Sequence, residues 1–328
     1  MIENKKILII GGAGFIGTAI TSQLYEKNKV VVADVCDFAK SSLNLAGLDT
    51  VDSIQKLCVD ALDKEAVLAL GDDFDYIIHA TAILGIHKVV EHSVATIDTN
   101  YTSCKYALEL ARKQKNLKKF LSFSTSEVYG RNIAGAEEDK DLSVGPAYEA
   151  RWCYAASKIV CEHLIAGYTR ECGVPSVIIR PFNVFGENRV GSNAMSTFLF
   201  KAMLNESITI DGDGSQVRAW CHIGDFVQGV ISALECDTNG ESYNIGNPDN
   251  VISILDLANM VKEIVGSDSE IIVSNVYVPD VKNRTLSVDK AKEQLGYAPK
   301  IDLKEGIQRM YEWAKTLDKD LLKELLSK

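Results

Sequence analysis

A tyrosine and a lysine four residues apart, Tyr154-Ala-Ala-Ser-Lys158, stand in a stretch of helical period. Spacing i, i+4 puts the phenol and the ammonium on one face of a helix. The ammonium favours the phenolate and is expected to lower the phenol pKa, which suits a base that takes a hydroxyl proton as hydride leaves the same carbon. The spacing by itself is common by chance. A second run gives it meaning: Ser124-Thr125-Ser126-Glu127-Val128-Tyr129-Gly130 follows an apolar β-like run and supplies a hydroxyl at a strand's carboxyl end, where ligands of open α/β sheets bind.

Hydride needs an acceptor, and the first residues offer a place for one. Ile7 to Ile10 leads into Gly11-Gly12-Ala13-Gly14-Phe15-Ile16-Gly17, which satisfies G-x-G-x-x-G between a strand and a helix. Glycines there allow a tight turn and close backbone approach, so that a pyrophosphate rests on the unpaired N–H groups at the helix start. Asp34 lies twenty residues after Gly14, at the end of the next apolar run, where a carboxylate can hold ribose hydroxyls. Val35, Cys36 and Asp37 follow without an arginine, and the carboxylates would repel a 2′-phosphate, so NAD is favoured over NADP. Gly11, Gly14, Phe15, Ile16 and Gly17 are therefore candidate cofactor-binding residues, with Asp34, Asp60, Ala61, Ala80, Tyr154 and Lys158. Asp60, after Leu57-Cys58-Val59, could accept from an adenine amino group or be an ordinary strand-end carboxylate. His79 is read as a packed core histidine.

The elements that must position these groups alternate in type. Ile7 to Ile10, Val30 to Ala33, Tyr76 to His79, Phe120 to Phe123 and Val177 to Ile179 are short apolar runs separated by helical-length segments. Such alternation predicts an α/β fold, a Rossmann-type doubly wound parallel sheet covered on both faces. Tyr101, Cys104, Leu108 and Ala111 mark a helix of about four turns, and another is expected from about Cys153 to Glu171. After Pro181 glycine and asparagine cluster and the rhythm shortens. The expected division is an NAD-binding domain over 1–180 and a smaller mixed α/β substrate-binding lobe over 181–328, with some later strands returning to the first sheet.

Composition narrows the partners. The 328 residues are 46% hydrophobic and 24% charged, a globular balance. A net charge of −10 disfavours nucleic acid and anionic membranes. Lys113, Lys115, Lys118 and Lys119 read as the solvated end of a helix. Eight cysteines form no C-x-x-C pair, so neither a metal site nor a disulfide framework is expected. No signal-peptide core or membrane-spanning run is evident, and a cytoplasmic location is expected.

Taken together, the glycine fingerprint, Asp34, the Ser124–Gly130 run, Tyr154 with Lys158, Arg180-Pro-Phe-Asn183-Val-Phe-Gly186, Gly212-Asp-Gly-Ser-Gln-Val-Arg218 and Arg284 resemble the extended short-chain dehydrogenase/reductases that act on nucleotide sugars as epimerases, dehydratases and decarboxylases. The resemblance covers essentially the whole chain. It implies that Thr125 and Tyr154 bracket the sugar 4-hydroxyl, that Lys158 also binds the nicotinamide ribose, and that NAD takes hydride from C4. It further implies that Asn183, Arg218 and Arg284 hold the pyrophosphate of the substrate, a role that suits arginine's forked donors.

A 4-keto sugar is a branch point, because the ketone acidifies C5–H and makes a C5 carboxylate a β-keto acid. Similar 4,6-dehydratases carry Asp then Glu after the catalytic Thr; here Ser126, a poor acid, precedes Glu127. The Thr-Ser-Glu order and Arg151-Trp152 before Tyr154 resemble UDP-glucuronate decarboxylases. UDP-sugar 4-epimerisation demands only Thr125, Tyr154 and Lys158 and stands beside decarboxylation. Net C4 dehydrogenation and 4,6-dehydration are further alternatives; a non-catalytic NAD-binding protein and an NADP-linked carbonyl reductase are readings of other classes. Asn193-Ala-Met-Ser-Thr replaces a proline-containing segment near the base, where uracil is favoured and guanine or thymine stays open. A homodimer is expected through helices near Tyr101 and Cys153.

Overall fold

In the computed structural model all residues are described except 36, 192, 275–280 and 328, so Cys36 lies outside the described residues. A seven-stranded sheet forms the centre, with strands in the order Glu241–Ile245, Ser176–Pro181, Lys119–Phe123, Tyr76–His79, Lys6–Ile10, Lys29–Asp34 and Ile54–Cys58. Every neighbouring pair in it is parallel. Parallel strands covered on both faces need apolar residues on both, and Ile7, Leu8, Ile9 and Ile10 are all buried. All five apolar runs are strands of this sheet. Of Ile54–Cys58 only the end was marked, by Leu57-Cys58-Val59 before Asp60; it is an edge strand whose Gln55 and Cys58 are exposed, so its first residues carry no continuous apolar run. Glu241–Ile245 comes from late in the chain and pairs with Ser176–Pro181.

Helices close the two faces. Ser93–Lys113 and Trp152–Cys172, each of 21 residues, pack together and bury Cys104, Leu108, Cys161 and Ile165 against Ile77 and Phe120. The first is longer than the four turns expected, because its opening turns carry exposed apolar residues such as Val94 that break the amphipathic stripe. On the opposite face Phe15–Leu24 and Ile223–Glu235 bury Ile20, Leu24, Phe226 and Val230. A separate core around Met195, Phe198, Leu257 and Ile307 holds the later helices together.

Two features place the site. Strand order reverses between Lys6–Ile10 and Tyr76–His79, which opens a crevice at their carboxyl ends. A four-stranded sheet, ordered Val251–Ser253, Val217–Ala219, Asn283–Leu286 and Asn132–Ala136, sets Arg218 directly beside Arg284 on parallel strands. The lysine cluster departs from the solvated helix end that its sequence predicts. Lys119 begins a central strand, is 3% exposed and donates to the carbonyl of Thr238 at 2.6 Å and to Asn239 at 3.0 Å. Burial lowers its pKa.

Candidate active site

The glycine loop fills the crevice where strand order reverses. Gly11 has φ +77°, and a Cβ on it would lie 2.6 Å from the backbone nitrogen of Thr81, so the loop touches the end of Tyr76–His79. A Cβ on Gly17 would lie 2.6 Å from Gly12, which locks helix against loop. Gly14 differs: a Cβ there meets nothing closer than 3.5 Å, and the residue is exposed. It precedes helix Phe15–Leu24 and provides no side-chain cap, so the helix start offers backbone N–H groups and the positive end of its dipole to an anion. Asp34 steadies the loop by accepting from the Ala13 N–H at 3.0 Å. This cradle fits a dinucleotide's pyrophosphate with Asp34 beside it.

The remaining cofactor candidates are placed as follows. Phe15 and Ile16 start the helix, and the Arg189 guanidinium, unnoticed in the sequence, stacks 5.1 Å from the Phe15 ring centroid. Ala80 is tied to the first strand through its N–H to Ile10, 2.8 Å. Ala61 is buried in the core. Asp60 is exposed and accepts from the Leu62 N–H at 2.9 Å, a local turn. Both ring nitrogens of buried His79 are engaged, by Ser122 at 3.0 Å and Ser103 at 2.9 Å. Burial, helped by the Lys158 charge, lowers its pKa to about 3.

The hydroxyl, phenol and ammonium come together at the end of strand Lys119–Phe123. Thr125 caps the short turn Ser126–Tyr129 by accepting from the Glu127 N–H at 3.2 Å, and Ser126 is buried in that turn. The Thr125 side chain lies near enough to the Tyr154 phenol to favour its ionised form. Lys158 donates from Nζ to the Phe123 carbonyl at 2.9 Å, and Nζ lies 6.0 Å from the Tyr154 ring centroid. The expected lowering of the phenol pKa is not found. Burial pushes it well above the ordinary tyrosine value, the Glu127 charge adds to this, and Thr125 and Arg284 oppose it. Lys158 is itself buried, which lowers its own pKa.

Beside this triad lies a cavity of about 230 Å³ lined by Glu127, Arg151, Asn183, Arg218, Trp220 and Arg284, among others. Asn183 takes a positive φ of 35° and donates to the Ala219 carbonyl at 2.8 Å, which ties the loop after Ser176–Pro181 to the Arg218 strand. Arg218 and Arg284 are both buried and in register on neighbouring strands, and Arg218 donates from Nη1 to the Val217 carbonyl at 2.8 Å. Glu127 Oε1 lies 3.4 Å from Nη1 of Arg284 and 4.0 Å from Nη2 of Arg151. Arg151, noted in the sequence only with Trp152 as a resemblance to UDP-glucuronate decarboxylases and given no role there, lines this cavity.

Residues 7–246 match the model of the NAD dependent epimerase/dehydratase family. The chain belongs to that family and is an NAD-dependent enzyme. It is 31% identical to UDP-N-acetyl-alpha-D-glucosaminuronate decarboxylase of Bacillus cytotoxicus, over 96% of this chain and 99% of that protein. It is 33% identical to UDP-glucuronic acid decarboxylase 6 of Arabidopsis thaliana, over 94% of this chain and 89% of that one. Among solved structures it resembles UDP-glucuronic acid 4-epimerase from Bacillus cereus in complex with UDP-glucuronic acid and NAD. The TM-score is 0.85 at 29% identity, covering 95% of this chain and 100% of that one.

Proposed function

We propose that the protein decarboxylates a UDP-linked hexuronate through a 4-keto intermediate. The observation that carries this reading is Glu127 placed between Arg284 and Arg151 beside the Thr125 and Tyr154 hydroxyls. Ser126 stands where dehydration would require an acid to expel a hydroxyl, and loss of carbon dioxide requires none. The decarboxylases named above, similar along nearly the whole chain, support the choice.

Gly11, Gly14, Gly17 and Asp34 hold the cofactor, and Lys158 reaches its nicotinamide ribose. Bound NAD supplies the hydride acceptor and, later, the donor. Tyr154 accepts the C4 hydroxyl proton, and its raised pKa means that it keeps its own proton until positive charge enters the site. Thr125 orients that hydroxyl. Arg218 and Asn183 bind the pyrophosphate, and burial of the site strengthens each charge contact. Once C4 is a ketone, the C5 carboxylate is β to it, and the C–C bond breaks with the electrons received by the enolate oxygen. Tyr154 and Thr125 lie at that oxygen and stabilise it by hydrogen bonding.

A 4-epimerase is the second reading. Its support is the shared architecture with the Bacillus cereus enzyme and the sufficiency of Thr125, Tyr154 and Lys158 for oxidation and return of hydride. In either case we place the enzyme in the cytoplasm as a homodimer. Val94, Ile97 and Val160 are exposed on helices Ser93–Lys113 and Trp152–Cys172, an apolar face that a second copy would cover. Incubation with NAD and UDP-, GDP- and dTDP-sugars, followed by product mass and NMR, tests the assignment. Loss of carbon dioxide from a UDP-uronate is expected; unchanged mass with inversion at C4 would replace decarboxylation by epimerisation.

A further inference from the structure

We propose that Glu162, Arg180, Tyr129 and Asn244 form a positioning cluster behind the active site, which sets the rate of C4 oxidation without touching sugar or cofactor. The proposal rests on the oxidation common to both readings above and not on the step that follows it.

The reacting groups come from three separate pieces of structure. Thr125 and Glu127 belong to the turn that ends at Tyr129, Tyr154 and Lys158 to helix Trp152–Cys172, and Arg284 to strand Asn283–Leu286. Their mutual geometry must be held closely, since a misplacement of about 1 Å can cost about a hundredfold in rate.

One buried cluster joins all three. Glu162 follows Lys158 by four residues and so lies on the same face of the helix, one turn on. Its carboxylate accepts from Nε and Nη2 of Arg180 at 2.9 and 2.7 Å, in the bidentate manner that suits a guanidinium. Nη1 of Arg180 donates to the Tyr129 hydroxyl at 2.7 Å, at the end of the Thr125 turn. Tyr129 donates in turn to Oδ1 of Asn244 at 2.8 Å. Asn244 lies beside Arg180 on the neighbouring strand, and its Nδ2 donates to the carbonyls of Ala136 and Ser287 at 2.9 and 3.4 Å. Ser287 directly follows the strand that carries Arg284.

Burial makes this arrangement specific. All four side chains are at most 7% exposed, and none of them lines the sugar cavity. A buried ion pair adds little stability over well-packed apolar side chains, whereas each buried donor or acceptor left unpaired is costly. Sliding the helix or the turn would leave several unpaired at once, so one register alone satisfies the cluster. Burial also pushes the Tyr129 phenol up to about 12, which keeps it a donor to Asn244 throughout the neutral range.

The test compares Tyr129→Phe, which removes only the hydroxyl, with Thr169→Val. The latter removes a hydroxyl paired with Ser176 at 2.6 Å, about four turns beyond Tyr154 on the same helix. Each NAD-loaded protein is mixed rapidly with UDP-glucuronate and NADH absorbance is followed. Tyr129→Phe is expected to slow NADH formation about thirtyfold, with affinities for NAD and UDP-glucuronate within about twofold of wild type. Thr169→Val should keep the wild-type rate at a similar loss of melting temperature. Amide exchange gives a readout free of substrate: residues 125–130 should exchange at least about tenfold faster in Tyr129→Phe, with residues 7–24 unchanged. Should Tyr129→Phe not fold, Glu162→Gln, of the same shape, takes its place with the same expectations. Equal rates in the two variants, a loss confined to ligand affinity, or unchanged exchange at 125–130 would overturn the proposal. Absence of NADH from the wild-type protein would overturn the substrate reading instead, and the exchange result then decides the proposal alone.

Discussion

The glycine-loop crevice and the cavity lined by Glu127, Arg218 and Arg284 are built by different means. The crevice is mostly backbone: Gly11, Gly14 and Gly17 shape a loop against the start of one helix, and Asp34 anchors it through a main-chain N–H. The cavity is mostly side chain, with charged groups drawn from segments far apart in the chain. Backbone recognition serves any reaction that needs the same dinucleotide. On the proposed function, side-chain recognition sets which reaction follows, so exchanging Glu127 is expected to change the chemistry and leave the crevice untouched.

If that separation holds, variants should divide along it. Tyr154→Phe removes the acid–base group shared by every reading, so turnover should fall about a thousandfold while NAD content stays at the wild-type level. Loss of bound NAD in that variant would join the two regions energetically and break the comparison. Steady-state rates with absorbance of the purified protein check it.

His79 probes the packing beneath both. It is held neutral down to about pH 3, whereas an ordinary histidine titrates near 6.5. Below pH 6.5 the unfolded chain takes up a proton that the folded chain refuses, so this contribution is fully present above that pH and is lost as pH falls towards 3. About 3 kcal/mol should disappear between pH 7 and pH 4. Urea unfolding at both pH values measures it, and His79→Gln should remove that part of the pH dependence; an identical acid loss in the variant would assign it to other groups.

Gly11→Ala places a methyl against Thr81 at a positive φ and should cost about 2 to 3 kcal/mol of stability together with NAD binding. Chemical denaturation and cofactor titration report both losses. The smallest expected effect is that of Asp34→Ala. Its NAD affinity should fall about tenfold, with sugar-nucleotide binding to the NAD-saturated variant unchanged. A parallel loss of sugar-nucleotide affinity would show that the cradle and the cavity are coupled.

The same contrast explains what could be read without coordinates. The glycine loop, Asp34, the Thr125–Glu127 run and Tyr154 with Lys158 are local patterns, each contained in one strand end or one helix turn. Central strands were legible because burial on both faces requires continuous apolar runs. Ile54–Cys58, half exposed at an edge, carries no such run. The meeting of Glu127 with Arg284 spans 157 residues and depends on the small sheet that sets Arg284 beside Arg218. Spacing along the chain contains no trace of it. Burial was invisible for the same reason at Lys119, whose lysine neighbours in the sequence suggest solvent, and at Tyr154, where it outweighs the expected help from Lys158.

On the proposed function, C4 oxidation belongs to the cofactor side and Tyr154, while the next step belongs to Glu127. Rapid mixing of NAD-loaded Glu127→Gln with UDP-glucuronate, following NADH absorbance and carbon dioxide release together, tests it most directly. NADH is expected still to form at close to the wild-type rate while carbon dioxide release falls about a hundredfold, so that the 4-keto species accumulates. Wild-type release of carbon dioxide from the variant, or equal slowing of both signals, would contradict it.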